Sequence, residues 1–169
     1  WDYTKYDVSG RVAVTGWFGT GTLYSRAQIQ AMVDAGAMYE NRAGTGVGYD
    51  NLSWPQGSTN YYRINYYDDY NFHGFPEGYE YQSFKESDSL SKHTTNLLTA
   101  TLGYSFDSSK ARWAVYYYDD EGRVIQVNRN NNLTTTSKDI TNNEFDFNSQ
   151  LTWTRRQHTG PGGQAVTIE

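Results

Sequence analysis

Three short segments of this chain share one pattern. "KYDVSGRVAV" sets Tyr6, Asp7, Gly10 and Arg11 at a fixed spacing, and "YYDDEGRVIQ" sets Tyr118, Asp119, Gly122 and Arg123 at the same spacing. "EFDFNSQLTW" keeps Phe145 and Asp146 but has Ser149 and Gln150 where the others have Gly and Arg. The pattern aromatic-Asp-x-x-Gly-Arg-apolar is what a β-hairpin corner needs. An Asp at the first turn position accepts a hydrogen bond from a backbone N–H further round the turn. A Gly three places later supplies the positive φ that closes a type I turn into a bulged hairpin. The aromatic ring packs on the sheet, and the arginine can stack on a ring and reach an acceptor on the next hairpin. In the third copy, without Gly and Arg, a different turn is expected.

Composition points the same way. Of 169 residues, 16 are Tyr, 7 Phe and 5 Trp, and 16 Gly provide turns. Tyr, Phe, Trp and Thr suit a pleated, half-buried surface. "YDVSGRVAVTG" sets Val12 and Val14 against Arg11, Ala13 and Thr15, and "NYYRINYYDDYNF" sets Tyr62, Ile64 and Tyr66 against Tyr61, Arg63 and Tyr67. This two-residue alternation marks strands. Further strands are expected in 97–107, 111–119 and 122–129, a strand pair in 142–158, and a last strand opening at "AVTIE". One helix is expected over 25–42, firmest to about residue 35, with Ser25 as N-cap and Ile29, Met32 and Val33 on one face. Residues 43–60 and 73–96 read as loops. The expected fold is mainly β: an antiparallel sheet of successive hairpins with one short helix in an insert.

The Tyr-Asp pattern resembles the Rhs, or YD-repeat, family. "YDVSGRVAVTG", "INYYDDYNF" and "ARWAVYYYDDEGRVIQ" are similar to stretches, in that order, of the large Rhs-like cell-surface proteins of Bacteroidetes. The resemblance implies hairpins that spiral into a shell in long arrays, here as a fragment with too few repeats to close. It divides the chain into a first YD unit (1–16), a variable insert with a short helix and strand (17–100), and further YD units running into a truncated next one (101–169). It implies a bacterial chain, extracellular or on the cell surface, whose partners are neighbouring repeats or the rest of a parent chain. On this reading the chain is a piece of something larger.

Chemistry is weakly signalled. A net charge of −5 argues against nucleic acid as a partner. The chain contains no Cys, and no apolar run is long enough to span a membrane as a helix. Asp119, Asp120 and Glu121 lack calcium-loop spacing and read as a turn, as do Asp68 and Asp69. His73, His93 and His158 form no metal or catalytic motif. No enzyme and no cofactor is expected. A second function class remains open: Trp17, Trp54, Tyr61, Tyr67 and Tyr70 have the flat rings that stack on sugars, which would make the chain a carbohydrate-binding module. "NLS" at Asn51 and "NLT" at Asn132 match a glycosylation sequon that a bacterial chain would carry by accident.

Overall fold

A computed structural model describes residues 1–19, 21–57, 60–85, 90–105, 111–131, 137–160 and 163–169. Among them, nine strands form one antiparallel sheet in chain order. They are β1 (Asp2–Tyr6), β2 (Val12–Trp17), β3 (Tyr61–Tyr67), β4 (Leu98–Tyr104), β5 (Ala111–Tyr118), β6 (Val124–Asn130), β7 (Lys138–Phe145), β8 (Leu151–Thr159) and β9 (Ala165–Ile168). One helix, α1 (Arg26–Ala35), lies between β2 and β3. The chain is thus mainly β with one short helix, as the alternation and turn residues require.

The helix begins where its cap dictates. Ser25 accepts from the Gln28 amide, and Gln28 Oε1 accepts from the Ser25 amide, a capping box. Ile29 is buried, Met32 is half-buried and Val33 is exposed, so the apolar stripe holds for little more than one turn. Gly36 ends it.

Register divides the sheet into two faces. Val14, Ile64, Leu102 and Trp113 lie side by side across β2 to β5, and Ala100, Val115, Asn128 and Ile140 continue the same face to β7. The two long loops, after β2 and after β3, fold back over this face. Tyr49 stacks on Tyr66, and Tyr66 stacks on Phe72 at 4.0 Å and on Trp113. This ring stack, with Ile64 and Val115, is the core: Tyr takes the place of Leu, and its hydroxyls donate to backbone oxygens, Tyr66 to Val47 and Tyr49 to Asn65. Further along, buried amides replace rings. Gln126 meets both the N–H and the C=O of Gln82, and Asn128 donates to the carbonyls of Tyr79 and Glu80. The second loop is held against the sheet as if by a strand.

The two sheet edges differ. On β1, Glu40 from the first loop sits where another strand would begin: its N–H donates to Tyr6 O at 2.8 Å, and Asp7 and Glu40 form a parallel bridge. At the other edge, β9 is exposed at every residue, including Val166 and Ile168, and pairs with β8 alone.

Candidate functional site: a row of hairpin corners

The corners after β1, β5 and β7 have one geometry. In the first, Asp7 N–H donates to Arg11 O at 2.9 Å, and Asp7 Oδ1 accepts from the amides of Ser9 and Arg11, both at 2.9 Å. Asp119 repeats this with Glu121 and Arg123, and Asp146 with Asn148 and Gln150. Gly10 and Gly122 have φ of 75° and 76°. The third corner was expected to differ, and it does not: Ser149 adopts φ 63°. The Asp, which keeps two backbone donors, sets the turn, and the strain of a left-handed Ser is tolerated there. After each corner one residue is extra in the pairing: Ala13, Ile125 and Thr152. These bulges explain why Ala13, expected opposite Val12 and Val14, is fully buried.

A fourth corner is hidden in the stretch read as an insert. Asp68 N–H donates to Leu97 O, Asp68 Oδ1 accepts from the Asn96 amide at 2.7 Å, and Asn96 takes the positive φ, 66°. The pairing shifts between Tyr66 and Tyr67, leaving Thr99 extra. This is a variant of the corner with residues 69–95 inserted into its turn: Asp68 is itself left-handed, φ 75°, and its carboxylate takes the amide at the glycine's position in place of the two amides taken elsewhere. Sequence pattern missed it because aspartate and left-handed residue are no longer three places apart. The remaining signal is local: "NYYD" at 65–68 and "NEFD" at 143–146 share an Asn two places before the aromatic. Asn65 donates to Val12 O and Asn143 to Val124 O, in each case the first residue after the preceding corner.

The corners are tied to one another. Arg11 holds its own Asp7 through Nε at 2.8 Å and reaches Asp68 in the next corner with Nη1 and Nη2, at 2.7 and 2.6 Å. Its guanidinium lies 4.3 Å over the Tyr67 ring. Arg123 grips Asp119 at 2.7 Å, donates to Asp146 O at 2.9 Å and lies over Phe145. Tyr67 donates to Val12 O and Tyr118 to Leu98 O, linking back one corner. The Arg11 hydrogen bonds hold Asp68 below the ordinary carboxylate range against the opposing effect of burial. Burial pushes the Tyr118 hydroxyl up to about 12. Tyr6, first in the row, is the exposed member.

The acidic triplet follows the same logic. Asp119 is committed to its turn and to Arg123, and Glu121 accepts from Arg123 Nη2. Among the described residues no group of three His, Cys, Asp or Glu is placed to hold a metal ion. His73 and His93 are exposed. His158 is not isolated as expected: its Nδ1 lies 2.7 Å from Asp139, which Arg156 and Asn131 also contact.

The five candidate ligand aromatics are dispersed. Trp17 is exposed on β2. Tyr61 packs near Tyr104, Tyr67 lies under Arg11, and Tyr70 stacks on Tyr117 with its hydroxyl on Tyr116 O. Trp54 meets Phe18 edge-on and lines a cleft of 520 Å³ with Thr4, Lys5, Val33 and Met38. Asn51 is not a free sequon: its Oδ1 accepts from Lys5 Nζ. Asn132 lies outside the described residues. No protein-family model, curated protein or solved structure matches this chain.

Proposed function

We propose that this chain is a non-catalytic structural segment: a tile of sheet in a large exported or cell-surface protein of the Rhs/YD-repeat kind. It would scaffold or enclose another domain, or carry contacts between cells. The observation that supports this best is the arginine relay, in which each Arg both closes its own corner and clamps the aromatic and aspartate of the next. Such a device has value in an array, where every unit positions its neighbour. The bare edge of β9 is a ready template for further pairing, and the buried phenols belong to packing. Neighbouring repeats are therefore the proposed partners.

The test is association state against concentration by light scattering, for the chain and for Thr167→Pro, which removes an amide from the β9 ladder. The tile reading expects reversible self-association that the substitution weakens. A strict monomer at high concentration, combined with glycan binding lost on Trp54→Ala, would replace it with the carbohydrate-module reading.

A further inference from the structure

Beneath the first loop lies a group of side chains that the corner row does not use. Lys5 on β1 and Glu40 are 2% and 0% exposed at their side chains, with Nζ and Oε1 3.1 Å apart. Lys5 Nζ also donates to Ser53 O at 3.0 Å and to Asn51 Oδ1. The Ser53 amide donates to Glu40 Oε1 at 3.2 Å, while Glu40 Oε2 is buried with no amide, hydroxyl or ammonium donor among the described residues, and the Asp50 carboxyl lies beside Glu40. Lys5 is the buried lysine of the described residues and Glu40 the buried glutamate. Asn51 has a left-handed backbone, φ 56°, beside them.

As an ion pair this is a poor arrangement. Both charges are desolvated, and one carboxylate oxygen gains nothing in return. As a reacting group it is coherent. An amine hydrogen-bonded to a carboxamide oxygen is held beside the carboxamide carbon, and rotation of the Asn51 amide would bring that carbon into line for attack. A carboxylate in contact with the amine can take its proton. Desolvation is what makes a lysine nucleophilic, and burial lowers the Lys5 pKa below the ordinary lysine range, with Glu40 and Asp50 pulling the other way.

We infer that Lys5 and Asn51 are joined by an autocatalytic isopeptide bond, with Glu40 as the proton carrier. Glu40 takes a proton from the Lys5 ammonium, leaving a neutral amine. The Nζ lone pair attacks Asn51 Cγ, forming the Nζ–Cγ bond. Glu40 passes a proton from Nζ to Nδ2, the Cγ–Nδ2 bond breaks, and ammonia leaves. Glu40 finishes as a neutral acid. No oxidant or cofactor is needed. The product removes both charges from the interior, and Glu40 Oε2, unpartnered in the unlinked state, becomes available as an O–H donor to the new amide. A cleft lined by Lys5 and Ser53 lies beside the group.

Intact mass spectrometry of the full chain, denatured after native purification, tests this. The linked chain should weigh less than its sequence by one ammonia, about 17 Da, and digestion should yield one branched peptide joining Lys5 to Asn51 and no cleavage after Lys5. Lys5→Arg and Glu40→Gln should both return the full sequence mass, with circular dichroism confirming that they fold. Asn51→Asp retains an electrophile at the same place and should lose water, about 18 Da, instead. A wild-type chain at full sequence mass overturns the assignment. So does a wild-type loss of water, which would move the bond to a carboxyl, Glu40 or Asp50, or a mass deficit that survives Lys5→Arg.

Discussion

Replacing Asp119 with Ala separates turn formation from corner-to-corner linkage. The carboxylate accepts from two backbone amides, Glu121 and Arg123, and pairs with Arg123 Nε at 2.7 Å. Loss of a side-chain acceptor that closes a turn resembles loss of a helix N-cap, about 1 kcal/mol for each amide. The Arg123 guanidinium retains a fifth of its exposure, so its share is discounted for solvent to about 1 kcal/mol. The sum is about 3 kcal/mol, which for a domain of this size lowers Tm by about 6–12 °C. Asp146→Ala removes the same two amide bonds with no arginine of its own corner, and should lose about 2 kcal/mol. Asp119→Asn keeps an oxygen for the amides and loses mainly the ion pair, about 1 kcal/mol. Thermal and urea unfolding of the three variants gives the order Asp119→Ala, Asp146→Ala, Asp119→Asn. Equal losses for Asp119→Ala and Asp119→Asn would refute the argument that the backbone amides dominate.

Ser149→Gly relieves a left-handed non-glycine backbone and should raise stability by about 0.5–1 kcal/mol, read as a higher urea midpoint. Gly16→Ala should leave little folded protein in soluble lysate, because a Cβ there would lie 2.2 Å from Asn60 O and 2.5 Å from the Tyr3 hydroxyl. At Asp139, burial raises the carboxyl, but hydrogen bonds from Arg156, Asn131 and His158 outweigh it and hold it below the ordinary range. A carboxylate with a lowered folded pKa contributes stability above its unfolded value, about 3.9, and loses it as pH falls through the folded one. The unfolding midpoint should therefore drop more steeply below about pH 4 in the wild type than in Asp139→Asn. If Lys5 and Asn51 are joined, the bond closes a 46-residue separation. Lys5→Arg should then lose about 4 kcal/mol of chain-entropy stabilisation in addition to its packing change, and its urea midpoint should fall well below that of any corner variant.

Much of the sheet was legible because each strand carries its own evidence. Alternation in "INYY", a Tyr-Asp pair and a Gly three places on are local, and they reveal the hairpins β1–β2 and β5–β6, with β5 and β6 within about two residues of their ends. What was illegible depends on chain segments meeting from a distance. The corner at Asp68 is split, so its left-handed residue, Asn96, stands far from its aspartate in sequence. Ala13 and Thr99 are buried by bulges, which reset the two-residue period without leaving a mark in composition. Ser149 fooled the pattern in the other direction, since the aspartate tolerates more at that position than a Gly consensus suggests. The Lys5, Glu40 and Asn51 group had no signal at all: three ordinary polar residues, spread over the first third of the chain, gain meaning only when the fold brings them together. Ser25 and Gln28, by contrast, form a capping box that "SRAQ" spells out directly.

The buried amides of β6 grip the second loop by its peptide groups. Gln126 reads one N–H and one C=O, and Asn128 reads two carbonyls. Every amino acid offers those same peptide groups, proline's missing N–H aside, so this socket is blind to most of what the loop says. The sheet holds the grammar of attachment while the loop remains free to change its vocabulary. A lineage of such chains can rewrite the outward side chains at Glu80 and Gln82 without redesigning the surface beneath, while Tyr79 and Tyr81 pack against the core. The positions that resist rewriting are Gln126 and Asn128, which lie on the sheet.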